Sequence, residues 1–229
     1  MGKERISKEL FEEEIQKQKL LIQAMIDGQE KERVEIGKVL HDNFNQHLAI
    51  TRLYLEMARD KASGEVLDLI SLSHKTLALI INEIRLLSHS LVPPTLSDLG
   101  LVESVQELCD AVKRTHPLRI HFFSHHFSEE NLPENLKLML FRITQEQLDN
   151  IVRHARASTI TIKLQSDAEY INLTIADDGK AFDPVHFEKE PGFSNIASRA
   201  GLFNGKVEVT GTPGKGCSLS VILPLETLL

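Results

Sequence analysis

Between Ser7 and Asp60 the chain carries no proline, and its only glycines there are Gly28 and Gly37. Such a run predicts a helix about 80 Å long at 1.5 Å rise per residue. A helix of that length exceeds what one globular core can cover, so it must pack along something equally long. Inside it stands the stretch Val39-Leu40-His41-Asp42-Asn43-Phe44-Asn45-Gln46-His47-Leu48. Asp42 and Gln46 are four residues apart, which on an α-helix brings their side chains within about 40° of each other. A neutral imidazole is a good nucleophile, a carboxylate can hold its proton, and a carboxamide can orient a water. A lone His-Asp pair is more often a solvated helix surface, so the rest of the chain decides its meaning.

Residues 1–36 are rich in Glu, Lys and Gln. Ile15, Ile22 and Ile36 share one heptad position, with Gln29 filling the gap. Phe11, Met25 and Val39 share another, with Gln18 and Glu32 between them. This polar-interrupted heptad predicts a coiled coil over 1–36, although a single amphipathic helix would carry the same pattern. Residues 61–64, Lys-Ala-Ser-Gly, form a turn. A second helix follows, with Leu67, Ile70, Leu77, Ile80 or Ile81, Ile84, Leu87 and Leu91 at helical spacing, and Pro93-Pro94 stops it. One hairpin has too little partner surface for its apolar stripe. Two copies would make a four-helix bundle, so residues 37–92 are expected to form a parallel dimer.

Past a boundary near residues 92–100 the pattern changes. Leu101, Val102, Val105, Leu108 and Val112 predict a short amphipathic helix, and Leu118 to Ser124 alternates as a strand does. Pro133 opens a helix reaching about His154. Residues 159–164 and 170–175 alternate at period two, and residues 179–192 read as a loop. Phe193 to Phe203 reads as a helix stopped by Asn204-Gly205. Lys206 to Thr210 and Cys217 to Leu223 read as strands. Helices interspersed with hairpin-connected strands give an α/β sandwich with a mixed sheet, here over residues 98–229.

A formal net charge of −7 argues against nucleic acid or an anionic membrane as a direct partner. Any bound phosphate must be held by local groups. No apolar run approaches the roughly 20 residues of a membrane span, and no signal peptide opens the chain. Its abrupt start in a charged helical pattern suggests a fragment of a longer protein. Cys109 and Cys217 lie in apolar-patterned segments without metal-ligand spacing, as buried free thiols in a reducing cytosol do.

The helix before His154 carries Glu146 and Asn150, again four apart on one face. A carboxylate and an amide oxygen there suit Mg²⁺, which takes a few protein oxygens together with water and phosphate. Arg153 and His154, one turn on, could meet phosphate oxygens. Taken alone, the pair is more often a polar helix face. Asp177-Asp178-Gly179 ends a strand, where a carboxylate can accept from an amine such as that of adenine. Gly214-Lys215-Gly216 offers backbone N–H groups and a cation, though a bare Gly-x-Gly is usually a hairpin turn. His121, His125 and His126 lack a carboxylate or cysteine at ligand spacing and read as solvated imidazoles at a strand end.

In this order the residues resemble a bacterial two-component sensor histidine kinase of the nitrate-sensor and membrane-thermosensor subfamily. The first domain carries Glu32-Arg33, Leu40-His41-Asp42 and Gln46, and residues 91–101, Leu-Val-Pro-Pro-Thr-Leu-Ser-Asp-Leu-Gly-Leu, resemble the subfamily's inter-domain junction. Residues 141–155 resemble the N box of the ATPase fold shared by gyrase, the Hsp90 chaperones, these kinases and MutL. The resemblance covers about residues 30–225. It implies a helical-hairpin dimerisation domain followed by an ATP-binding sandwich. It also implies autophosphorylation of His41 from Mg²⁺-ATP, transfer to an aspartate of a response regulator with a helix-turn-helix output domain, and phosphatase activity toward that regulator. It further implies a homodimer in the cytoplasm, with membrane contact only through a sensor region outside this sequence.

By motif, the resemblance makes His41 the phosphoacceptor, Asp42 its assisting base and Gln46 the residue that orients water. Glu146 matches the N-box acid, Asn150 the Mg²⁺ ligand, and Asp177 the adenine-reading aspartate with Gly179 beside it. Gly192 matches the lid, and Gly214, Lys215 and Gly216 the last glycine box. Two positions depart from the family pattern. Gly179-Lys180-Ala181-Phe182 stands for Gly-x-Gly-Phe, and Glu190-Pro191-Gly192-Phe193 lacks a lid glycine. Those departures keep open a second expectation, a degenerate, non-catalytic dimer that docks a regulator.

Overall fold

The computed structural model describes residues 2–91, 96, 99–180, 191–211 and 216–225, with the side chains of residues 2–12, 41, 85, 86, 89, 90 and 191 outside that description. By internal contacts the chain divides into two units, residues 25–94 and residues 1–24 with 95–229.

The long helical run is present, but it is not one uniform α-helix. Helix α1 covers Gly2–Lys38, a π turn covers Val39–Phe44, and α2 covers Asn45–Arg59. A short turn leads to α3, Gly64–Leu91, so the hairpin expected from the sequence is formed. Pro93 and Pro94, the expected stop, lie outside the described residues. In residues 25–94 the shielded positions of the first helix are Ile26, Glu30, Arg33, Gly37 and Leu40, spaced three or four apart as an α-helix requires. The next is Asn45, five residues on, followed by Leu48 and Leu55. The π turn therefore takes up one extra residue and keeps the shielded stripe facing α3. On α3 the stripe is Leu67, Ile70, His74, Leu77, Ile81, Ile84, Ser88 and Leu91. Its two polar members both reach across the hairpin. His74 Nε2 lies 3.3 Å from Glu56 Oε1, and Ser88 Oγ donates to the Gly37 carbonyl at 3.3 Å. Met25 at 75% exposure and Ile36 at 44%, both expected heptad positions, are left uncovered in the single chain.

The second unit is built on a five-stranded sheet in the order β1-β2-β3-β5-β4. Its strands are β1 Arg119–Phe123, β2 Thr159–Ser166, β3 Tyr170–Asp177, β4 Lys206–Gly211 and β5 Cys217–Pro224. β1 and β2 are parallel, and the other neighbours are antiparallel. The period-two alternation of the sequence puts Ile160, Ile162, Leu164, Ile171, Leu173, Ile175, Leu219, Val221 and Leu223 on one face, all almost fully buried. Each contributes roughly 1.5–3 kcal/mol of burial. Three helices pack on that face: α4 Leu101–Thr115, α5 Glu134–Asn150 and α6 Pro191–Leu202. The mixed-sheet sandwich expected from the sequence is thus formed. Helix α5 does not run unbroken to His154. It passes into a π turn, Ile151–Ala155, that ends at Arg156 in the left-handed region with φ 52°. No described helix is long and apolar enough to cross a membrane.

Candidate functional site

On the hairpin, His41 and Asp42 are the third and fourth residues of the first π turn, and Gln46 is the second residue of α2. Asp42 and Gln46 are both exposed. The same-face relation expected of them holds for an unbroken α-helix. Here the spacing spans a change of helix type, and the exposure of both side chains is what the structure itself supplies.

The second group of residues gathers at one end of the sandwich. Asp177 closes β3 and is paired with Ile160 on one side and Cys217 on the other. All three lie on the core face, so the carboxylate is carried into apolar surroundings and is only 7% exposed. Oδ1 accepts the N–H of Gly179 at 2.9 Å. Oδ2 is buried with no hydrogen-bond partner among the described residues. Burial raises the Asp177 pKa, the Gly179 N–H opposes the rise, and the charge of Asp178 adds to it. A buried acceptor left over among the described residues calls for a donor beyond them. Asp178 does a different job. Its exposed carboxylate accepts the N–H groups of Ser158 and Thr159 at 2.7 and 2.8 Å and fixes the start of β2.

The neighbouring backbone is packed too tightly for side chains. A Cβ on Gly179 would lie 2.3 Å from the Ala155 carbonyl oxygen, and that same oxygen accepts the N–H of Lys180 at 2.7 Å. The π turn at the end of α5 is what presents this carbonyl. Gly216 has φ +88°, and a Cβ there would lie 1.8 Å from the Asp177 carbonyl oxygen. Gly216→Ala is expected to cost about 2–5 kcal/mol from left-handed strain and overpacking together. A denaturant melt with an unchanged midpoint would refute that geometry.

Glu146 and Asn150 meet at the start of α6. The point a Cβ of Gly192 would occupy is 2.8 Å from Asn150 Nδ2, 2.9 Å from Asn150 Oδ1 and 3.0 Å from Glu146 Oε1. The carboxylate and amide therefore converge beside the N-terminal end of a helix, where amide donors and the helix dipole favour phosphate. Arg153 and His154 are exposed on the second π turn. Gly214, Lys215, Ala181 and Glu190 lie outside the described residues. Among the described residues no three His, Cys, Asp or Glu side chains cluster as a metal site. The two oxygens at Glu146 and Asn150 fit an ion that completes its shell with phosphate and water.

Sequence reasoning passed over three contributors. Ser158 and Thr159 supply backbone donors, and Ala155 supplies a backbone carbonyl; neither role leaves a side-chain signature. Cys217, expected from the sequence as a buried free thiol, is on the same face as Leu219 and beside Asp177. Both thiols are free and buried, and burial pushes Cys217 to about 11 and Cys109 to about 12.

Comparison with known proteins gives two domain matches. Residues 32–96 match a family described as histidine kinase, and residues 135–227 match the histidine kinase-, DNA gyrase B- and HSP90-like ATPases. The sensor histidine kinase MctS of Rhizobium johnstonii is 31% identical over 213 residues, covering 90% of this chain and 46% of that protein. The signal transduction histidine-protein kinase/phosphatase DegS of Brevibacillus brevis is 28% identical over 229 residues, covering 96% of this chain and 58% of that protein. The chain thus spans about half the length of the curated relatives it matches. Among solved structures, the histidine kinase domain of the Erythrobacter litoralis EL346 blue-light activated histidine kinase aligns with TM-score 0.51 at 13% identity, over 80% of this chain and 96% of that one. That match speaks to the fold.

Proposed function

From the premise that the chain belongs to the histidine kinases, as a sensor histidine kinase core with their ATPase domain, we propose that it phosphorylates its own His41 from ATP. The observation that carries the nucleotide half of this reading is the buried Oδ2 of Asp177, unpartnered among the described residues. The exocyclic amine of adenine is a donor of the right kind for it. Glu146 and Asn150 then serve the phosphate end, with the first turn of α6, Arg153 and His154 offering donors and positive charge. Gly179 and Gly216 let the backbone come close, Gly192 stands beside Asn150 and Glu146, and Gly214 and Lys215 are assigned to the phosphates by their motif alone. Mg²⁺, held when bound by Asn150 and Glu146, would neutralise phosphate charge.

In the step at His41 a ring nitrogen forms a bond to the γ-phosphorus. The bond from that phosphorus to the β–γ bridging oxygen breaks, and ADP leaves. The ring proton passes to Asp42, the nearest base in sequence on the same exposed turn. The phosphoryl group goes on to an aspartate of a response regulator, and Gln46 orients the water that later removes it from that aspartate. The uncovered heptad residues Ile15, Met25 and Ile36 support a homodimer through the hairpin. A cytoplasmic location follows from this reading, since both ATP and the regulator are found there.

The test is incubation with γ-labelled ATP and Mg²⁺. Label on the chain that is acid-labile and alkali-stable is the expected result. ATP binding without label would overturn the kinase reading and leave the docking dimer in its place.

A further inference from the structure

We infer that Ser88 is a positioning residue for the phosphoacceptor turn, acting through its hydroxyl on the backbone that carries His41. This rests on the kinase reading of His41. Ser88 sits on the shielded stripe of α3, on the heptad position it shares with Leu67, His74 and Ile81. A leucine or isoleucine there would bury more apolar surface. Ser88 is instead a hydroxyl at 8% exposure, which costs stability unless it is bonded. Serines in helices commonly bond the carbonyl one turn back in their own helix. Thr51, Ser73 and Thr76 do so in this hairpin. Ser88 does not. Its Oγ crosses to the Gly37 carbonyl, 51 residues away in sequence.

That carbonyl belongs to the last turn of α1, two residues before the π turn begins. A side chain that takes hold of a carbonyl inside the i→i−4 ladder weakens the ladder at that point and lets the helix change pitch. The extra residue appears just there. The shielded stripe keeps α spacing through Gly37 and Leu40, then skips five to Asn45. In an unbroken α-helix the stripe would fall on Phe44, which is 48% exposed instead. His41 and Asp42 lie inside the skip, so the turn's geometry sets where they face. Gly37 is itself buried, and its carbonyl lies within reach of a hydroxyl as short as serine's.

The test compares Ser88→Ala and Ser88→Thr with the unaltered protein. Three measurements are made: the rate of self-labelling at saturating ATP, the KM for ATP, and amide hydrogen exchange across residues 39–44. Loss of the hydroxyl in Ser88→Ala is expected to slow labelling about tenfold, a 1.4 kcal/mol effect, with KM and the assembled mass unchanged. Exchange in 39–44 should accelerate in the same variant. Ser88→Thr, which keeps the hydroxyl, should restore both to within about twofold of the unaltered protein. Unchanged labelling in Ser88→Ala, or an equal loss in both variants, would overturn the inference, because the hydroxyl would then not be the acting group. If the unaltered protein takes no label at all, the kinase reading fails and the role at His41 fails with it. The exchange data would still report whether Ser88 holds the turn.

Discussion

His41→Gln is expected to bring self-labelling to background while nucleotide affinity, melting temperature and assembled mass stay as they were. Glutamine has good helix propensity and makes no special demand on a π turn. The substitution should therefore remove a nucleophile and little else. A carboxamide nitrogen has no basic lone pair to attack phosphorus, so the loss should be complete rather than graded. The assays are label incorporation, a calorimetric ATP titration and a thermal melt on the same preparation. Label persisting at the original level would move the acceptor elsewhere, with His47 and His74 the next candidates on the hairpin. Loss of label accompanied by loss of the dimer would make His41 a structural residue.

Asp177→Asn should separate stability from binding in the opposite sense. The amide keeps an oxygen to accept the Gly179 N–H. At the other position it presents N–H₂ where the amine of adenine needs an acceptor. Losing a hydrogen bond to a charged group costs about 1.5–3 kcal/mol, roughly ten- to hundredfold in Kd. The ligand-free protein should fare better. Burial raises the Asp177 pKa in the folded state. A carboxyl shifted in that direction stabilises the fold at low pH, and loses that contribution as pH rises through the folded value. Once the carboxyl is ionised the full cost of the buried charge is present, and the neutral amide removes it. The amide leaves a buried donor unbonded, a smaller cost than a buried charge. The apo melting temperature should therefore rise by a few degrees. The pH dependence of stability just above the ordinary carboxylate range should flatten. A variant that binds ATP normally would remove Asp177 from base recognition. One that melts lower and binds worse would make it a structural residue.

The hairpin and the sandwich were readable because each rests on a period. Leu67 to Leu91 repeats at helical spacing, and Ile160, Ile162 and Leu164 alternate at two. Solvent and core impose those periods directly on the side chains. The two π turns were not readable. A single inserted residue leaves the local composition helical and shows only as a five-residue step from Leu40 to Asn45, visible once α3 is in place to define the inward face. The spacing of the sequence put Asp177 at a strand end and Glu146 with Asn150 on one helix face. That the latter two meet the start of α6 was not readable from it. The contributions of Ala155, Ser158 and Thr159 come from backbone groups, which every residue carries, so no residue type announces them.

On the nucleotide reading proposed above, the Ala155 carbonyl that receives Lys180 and abuts Gly179 would bear on ligand choice. It ties the strand end bearing Asp177 to the helix end bearing Asn150. The two places a nucleotide would touch, at its base and at its phosphates, are then marks on one ruler. A ligand is measured by whether it spans both marks at once. Adenosine would satisfy only the first and a free polyphosphate only the second, so neither should be held as well as the molecule that joins them. If both marks stand in place before anything binds, that measurement would cost the protein little ordering entropy.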